Sequence, residues 1–165
     1  MNKPQSPRFK ILNEREKTEI TRMLKNQFGI TELPGILLQR GSERLFLYQG
    51  DLVGKELENL EKTFILERVG IYFAKIVPGE NKIRLSIDGV HIIKDQITKN
   101  IFELTDEQAK HYLQGEELYI ETPEEERRFV IMKYKNDFWG TGKASAEKIS
   151  NFIPKARRIK NKENK

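Results

Sequence analysis

The sequence predicts an α+β fold built from two small units, an N-terminal α+β domain with an antiparallel sheet and a C-terminal β-barrel with one short helix. Short apolar runs alternate with polar residues between turn residues, which is typical of antiparallel strands. Amphipathic segments begin at helix-capping signals. Strands do not alternate with helices behind a glycine-rich turn, as they would in a parallel sheet. A chain of 165 residues is long enough for two such units.

The first helix has a clear beginning and end. Residues 1–10 include two prolines and are interpreted as a flexible lead. Asn13 stands at a capping position with Glu16 three places later, which is a variant of the capping box. Apolar residues then recur at helical spacing as far as Gly29, a residue suited to end a helix. The pattern predicts a helix over 14–28 whose apolar stripe packs in a core.

Turn residues divide the rest of the N-terminal unit into a hairpin, a helix and a second hairpin. A three-residue loop, Gly41-Ser42-Glu43, joins two apolar runs, which is a hairpin signature. Gly70 is expected to mark a bend or bulge in a long apolar strand, and Asp88-Gly89 is expected to close the unit. The predicted elements are strands 36–40 and 44–49, a helix at 54–62, and strands 64–77 and 82–87.

The second unit begins near Val90. Thr105 and Gln108 form another capping box, and Gly115 is expected to end the short helix that follows. An acidic loop is expected at 122–126. One helix followed by closely spaced strands suits a compact barrel. The predicted elements are a strand at 90–93, a loop at 94–100, a helix at 106–114, and strands at 117–121, 128–134 and 138–144.

Composition excludes several classes of protein. The chain has no Cys, which excludes disulfides, thiolate zinc sites and cysteine nucleophiles. His91 and His111 have no carboxylate at a recognisable ligand spacing, so neither a metal nor another cofactor is expected. Apolar runs are too short to span a membrane, and the N-terminus lacks the apolar core of a signal peptide. We therefore expect a soluble, cytoplasmic protein with no membrane partner.

The positive charge is concentrated at the C-terminus. The formal net charge is +5. Between residues 155 and 165, six cations and one acid also give a net charge of five, so the rest of the chain is balanced. Such segregation is what a phosphate-binding edge requires, and a solubilising tail is the alternative.

The run from Gly140 to Ser145, GTGKAS, invites comparison with a phosphate-binding loop. Such a loop requires Gly where Asp137 stands and Ser or Thr where Ala144 stands, and a long helix must follow. The run therefore predicts no nucleotide site. Its two glycines are better explained by a bulge or by the close approach of another chain.

Two aromatic residues near this run have two interpretations. Trp139 and Phe152 could each stack on a nucleic-acid base beside the cations. Core packing is the commoner role of an aromatic residue in an apolar strand.

The run GTGKASAEKISNFIPKARRI, after an apolar strand and a turn, resembles the end of a PUA domain, an RNA-binding module of pseudouridine synthases and archaeosine transglycosylases. The segment TDEQAKHYLQGEEL is similar to the helix and glycine turn of that family. The upstream region, including VGIYFAKIVPGENKIRLSI, resembles the pre-PUA domain of the Nip-type ribosome-biogenesis factor and its archaeal relatives. The two-part segment is also similar to the C-terminal PUA appendage of RsmF-type RNA cytosine methyltransferases.

The resemblance implies a pre-PUA α+β domain with an antiparallel sheet at 1–89, a PUA β-pseudobarrel at 90–159 and a basic flexible tail at 160–165. The methyltransferases carry a large cofactor-binding domain and catalytic cysteines. This chain has no Cys and is too short for that domain. The expectation is therefore a non-catalytic RNA-binding adaptor for rRNA or tRNA in ribosome biogenesis or RNA modification. Its expected partner is an RNA-modifying enzyme or a ribosome-assembly factor.

Charge and the resemblance together predict the RNA-contacting residues. The cations expected to pair with phosphates are Lys155, Arg157, Arg158 and Lys160. Lys143, beside two glycines, could reach a phosphate where the main chain comes close. Because RNA lies along the helix, the glycine turn and a late strand in many PUA domains, the resemblance adds Lys110, Gly115 and Lys133.

Two other functions stay open. The N-terminal sheet could dock an RNA methyltransferase or an assembly factor, with the basic tail incidental. An enzyme acting alone would have Asp88, Asp95 and Asp137 as candidate acids, but none of them forms a motif with a base or a nucleophile.

Overall fold

A computed structural model describes residues 8–160, except residues 65, 67 and 121–126. The chain folds into two compact units, with the boundary between Arg84 and Leu85. The predicted α+β class with a C-terminal pseudobarrel is confirmed. The predicted tail at 160–165 and the acidic loop at 122–126 lie almost wholly outside the described residues.

The N-terminal unit is a five-stranded sheet in which neighbours in sequence are neighbours in space. Antiparallel pairing joins the first four strands. The strands are β1 (Phe9–Ile11), β2 (Ile36–Arg40), β3 (Arg44–Tyr48), β4 (Ile71–Val77) and β5 (Lys82–Leu85), and the helices are α1 (Glu14–Phe28) and α2 (Gly54–Thr63). The predicted hairpin of β2 and β3 and the predicted helix α2 are therefore confirmed.

Helix α1 has the predicted bounds and the predicted caps. The Asn13 side chain accepts from the Glu16 amide at 2.9 Å, and the Glu16 carboxylate accepts from the Asn13 amide at 3.0 Å. Such a cap contributes about 1 kcal/mol to helix stability. Gly29 ends the helix in the left-handed conformation, with φ of 84°. The side-chain amide of Gln27 bonds both main-chain groups of Ile83, which fixes α1 against β5.

Two predictions in this unit are wrong in part. Phe9 and Lys10 of the predicted flexible lead belong to strand β1, and the Phe9 ring packs edge-on against Phe46 with ring centroids 5.4 Å apart. Residues 1–7 of that lead lie outside the described part of the chain. The long strand predicted at 64–77 begins only at Ile71. The bend expected at Gly70 is confirmed, since its φ is 73° and a side chain there would overlap the Leu47 carbonyl.

The C-terminal unit is a curled five-stranded sheet in the order β6-β8-β9-β10-β7. Its strands are β6 (Ile101–Glu103), β7 (Leu118–Tyr119), β8 (Arg128–Tyr134), β9 (Asp137–Ala144) and β10 (Lys148–Asn151), and its helices are α3 (Ile87–Ile93) and α4 (Asp106–Leu113). The strand β6, which the sequence analysis missed, pairs in parallel with β8. A core formed by α4 and the sheet includes Tyr112, Val130, Met132 and Ile149.

The strand predicted at 90–93 and the closing turn predicted at Asp88-Gly89 are both wrong, because this stretch forms α3. Ser86 caps the helix by accepting from the Gly89 amide at 2.9 Å. Val90 and Ile93 are buried at helical spacing. β-branched residues made the run resemble a strand, but burial of one helical face decided the outcome.

Candidate nucleic-acid interface

Helix α4 and the glycine turn after it form the centre of the candidate interface. Thr105 and Gln108 make the predicted capping box, with bonds of 3.2 and 3.0 Å. Near the other end of the helix Tyr112 is buried in the core, and burial raises the pKa of its hydroxyl above the ordinary value. Gly115 follows with φ of 85°. The cap and the buried ring therefore fix the position of the turn.

Asn151, at the end of β10, joins the sheet to this turn. Its amide nitrogen donates to the carbonyls of Tyr112 at 2.7 Å and Glu116 at 3.0 Å. Its amide oxygen accepts from the Ile153 main chain at 2.8 Å. The sequence analysis did not single out Asn151, because nothing in one sequence distinguishes it from a surface amide.

The C-terminal segment, defined as residues 153–160, folds back onto the same turn. The Ile159 amide donates to the Leu113 carbonyl at 2.9 Å. The Arg158 side chain lies directly over Gly115, so closely that a Cβ at position 115 would overlap its Nε and Cδ. Arg158 Nε also donates to the Ile153 carbonyl at 3.0 Å. The structure thus brings together two predicted RNA-binding residues, Gly115 and Arg158, and gives Arg158 a role in holding the segment.

Arg157 is held by a carboxylate of its own unit. Its two terminal nitrogens lie 3.3 and 3.2 Å from the two oxygens of Asp88 in α3. Both side chains remain about half exposed, at 51% and 46%. A fork-to-carboxylate pair has good geometry, but at this exposure it contributes less than about 1 kcal/mol. Sequence reasoning considered Asp88 as part of a closing turn and as a possible catalytic acid, and could not anticipate this pairing.

Three predicted lysines are exposed around the turn. Lys155 and Lys160 lie in the C-terminal segment, and Lys110 lies on α4. Their ammonium groups have no hydrogen-bond or ion-pair partner within the described residues. These lysines therefore need lose no internal contact in order to meet an anion.

Lys143 lies over an aromatic pair. Its ammonium group is 5.3 Å from the centre of the Phe129 ring, and Phe129 packs against Phe152 with centroids 6.2 Å apart. Phe129 is buried and Phe152 is partly buried. This packing favours the core interpretation of Phe152.

Trp139 also belongs to the core. Its ring packs against Tyr134 with centroids 4.8 Å apart and stacks on Tyr112 at 6.5 Å. It is partly buried against the core cluster of the C-terminal unit. Of its two interpretations, the structure favours packing.

Acidic neighbours pair with two other lysines of this unit, Lys133 and Lys148. Lys133 is 3.0 Å from Glu103. Lys148 is 2.7 Å from Glu117, and this hydrogen bond raises the pKa of Lys148. Such pairs lower the local positive potential.

The glycines of β9 have the backbone role predicted for them. The pairing of β8 with β9 shifts register between Met132 and Lys133, opposite Gly140. A Cβ on Gly140 would lie 3.1 Å from the Tyr112 hydroxyl, and one on Gly142 would overlap Ile149. The run is a strand with a bulge and close packing.

In the described part of the chain, no group of three or more His, Cys, Asp or Glu side chains is placed to hold a metal ion. Among the helices described, none combines the length and apolar character needed to cross a bilayer.

The curled sheet, the capped helix α4 and the glycine turn all lie within residues 99–159. Residues 99–159 match the family model described as the methyltransferase RsmF PUA domain. A protein of Psychromonas ingrahamii named ribosomal RNA small subunit methyltransferase F is 27% identical over 132 residues, which are 79% of this chain and 26% of that protein. The chain thus spans about a quarter of the length of this relative.

The predicted resemblance is confirmed: the chain resembles the C-terminal PUA appendage of RsmF. The match to a PUA domain of this type supports an RNA-binding or methyltransferase-associated role.

Proposed function

We propose that this chain is a non-catalytic RNA-binding adaptor that presents a segment of ribosomal RNA to a modifying enzyme or assembly factor. The observation that carries the proposal is the docking of the C-terminal segment on the glycine turn after α4. This contact fixes exposed cations beside a PUA-type helix. The name of the relative, a small-subunit ribosomal RNA methyltransferase, favours ribosomal RNA over transfer RNA as the target.

The cations divide into two roles in this proposal. Lys155, Lys160 and Lys110 contact phosphates, because they are exposed and hold no described partner. Arg158 orders the segment by its contacts with Gly115 and Ile153. Fixing the segment in advance lowers the conformational entropy lost when RNA binds.

The other predicted cations differ in how strongly their neighbours allow them to bind a phosphate. Arg157 reaches a phosphate by exchanging the Asp88 carboxylate for it, since both groups suit a bidentate fork. Lys143 lies over Phe129 and contributes where RNA passes β9. Lys133 contributes least, because Glu103 already balances its charge.

The test is RNA binding measured as a function of salt. The double variant Lys155→Ala with Lys160→Ala removes two exposed charges without breaking a described contact. We expect its affinity for a fluorescein-labelled hairpin of small-subunit ribosomal RNA to fall on the order of tenfold or more near 0.1 M salt. The slope of log affinity against log salt should flatten by about two. Fluorescence anisotropy over a salt series measures both.

The matched control is Lys55→Ala with Lys62→Ala, which removes two exposed lysines from α2. It has the same net charge as the test variant. Equal losses in the two variants would show that net charge alone governs binding, and the proposed interface would then be wrong. Absence of RNA binding by the unaltered chain would favour a protein-docking role.

A further inference from the structure

The N-terminal sheet carries a row of cations that the sequence does not reveal. Arg40 on β2 is directly opposite Arg44 on β3, and Arg44 is directly opposite Lys75 on β4. Opposite residues of antiparallel strands project from the same face of a sheet. These three residues, here called the cationic row, therefore form one line across three strands. Neighbouring strands are about 4.8 Å apart, so the row extends over roughly 10 Å.

The row continues to an aromatic residue on β1. Phe9 is opposite Arg40, and the Arg40 guanidinium lies 5.3 Å from the centre of its ring. Such a contact holds the guanidinium plane in place. On the next line of the same face, Phe46 packs against Phe9 and Tyr72. The cations thus stand at the edge of a packed aromatic surface and not on a loose loop.

Two carboxylates among the described residues lie near the row, Glu43 toward Lys75 and Glu61 toward Phe9. Glu43 is 2.8 Å from Lys75, and Glu61 accepts from the Phe9 main-chain amide at 2.6 Å. The central residue, Arg44, is exposed and has no described side-chain partner. Its neighbours across both strands are also cations. Like charges directly opposite each other destabilise a sheet. Glu43 offsets this cost at Lys75, whereas Arg44 has no acidic partner among the described residues.

We propose that the cationic row is a second phosphate-binding surface, which contacts the backbone of RNA through Arg44 together with Arg40 and Lys75. The choice of RNA over an acidic protein rests on the proposed function of the C-terminal unit. Guanidinium groups grip phosphate oxygens with two parallel hydrogen bonds, and a bound anion relieves the repulsion between opposed cations. The row adds affinity and positions the RNA backbone, but it does not select the RNA sequence.

The test compares Arg44→Gln with Arg15→Gln in the full chain. Arg15 is also exposed, lies on α1 and has no described partner, so the two variants lose the same charge. With the labelled ribosomal RNA hairpin, we expect Arg44→Gln to weaken binding about three- to tenfold near 0.1 M salt and to flatten the salt slope by about one. Arg15→Gln should bind as the unaltered chain does.

A stability measurement separates binding from folding. Because Arg44 is opposed by two cations, Arg44→Gln should unfold at the same temperature as the unaltered chain or a higher one. A lower unfolding temperature together with weaker binding would overturn the inference.

Three further outcomes would also overturn it. Arg44→Gln could bind RNA as the unaltered chain does while the Lys155 and Lys160 variant binds more weakly. That result would show that the cationic row does not contact RNA, and it would leave the proposed function intact. Tighter binding of a labelled polyglutamate peptide than of RNA, lost in Arg44→Gln, would identify the row as a contact for an acidic protein. If the unaltered chain bound no RNA, the row and the proposed function would fail together.

Discussion

The C-terminal segment and the N-terminal cationic row collect positive charge in opposite ways. In the segment the cations are neighbours in sequence, and the fold fastens its two arginines to Asp88 and Gly115 while two lysines remain exposed. In the row the cations come from three strands, and the central arginine is the exposed one. A run of charge in a sequence therefore overstates the number of groups available to a ligand. A row of cations that strand pairing assembles from distant residues gives no signal in the sequence.

The largest expected effect comes from removing the exposed cations of both regions at once. A triple variant with Arg44→Gln, Lys155→Ala and Lys160→Ala should lose on the order of a hundredfold in RNA affinity near 0.1 M salt. Its salt slope should flatten by about three, because each phosphate contact releases its own counterions. Anisotropy titrations measure both quantities.

If the triple variant bound RNA no more weakly than the lysine double variant, only the C-terminal segment would contact the RNA. A loss well beyond the product of the separate effects would instead show that the two regions bind cooperatively.

A smaller effect is expected where the segment meets the glycine turn. Gly115→Ala places a side chain at a positive-φ position and displaces the Arg158 side chain that lies over residue 115. We expect a loss of roughly 1–2 kcal/mol in the free energy of unfolding, with weaker RNA binding as well. Urea denaturation and anisotropy give the two values.

Gly79→Ala is the control for this change, because Gly79 has φ of 75° but open space where its side chain would lie. Gly79→Ala should lower the free energy of unfolding by about 1 kcal/mol, which is the cost of the backbone conformation alone, and should leave RNA binding unchanged. If both variants bound RNA equally well, the contact between Arg158 and Gly115 would have no part in the interface.

The smallest effect on stability is expected at the Asp88 and Arg157 pair. Asp88→Asn should change the free energy of unfolding by less than about 0.5 kcal/mol, since both side chains are about half exposed. It should strengthen RNA binding, because Arg157 is released and a negative charge is lost. Weaker binding in this variant would show that the pair positions Arg157 for the RNA.

Local signals predicted much of the fold. Helix α1 has the predicted bounds, because the Asn13 cap and Gly29 act through a few neighbouring residues. Strands β2 and β8 also have the predicted bounds, since apolar alternation and turns define them. The stretch at 87–93 was misjudged because its β-branched residues suit a strand, whereas burial against β9 favours a helix.

The candidate site was predictable only as a list of residues. Charge and family resemblance pointed to Gly115 and Arg158 separately, and the fold showed that they touch. Asn151 holds the turn through two hydrogen bonds and makes a third with Ile153. It carried no sequence signal, because the first two bonds join residues 39 and 35 positions apart and the third depends on the local bend after β10. The role of Asp88 was hidden for the same reason, as its partner lies 69 positions away.

The sequence by itself determined the α+β class, the capped helices, the hairpins and the concentration of charge at the C-terminus. These properties depend on side-chain type and on spacing within a few residues. Only the tertiary structure decided which cations are exposed, which are bound by carboxylates, and which align across strands. Those outcomes depend on strand register and on contacts between distant residues, where a shift of one position turns a side chain to the opposite face.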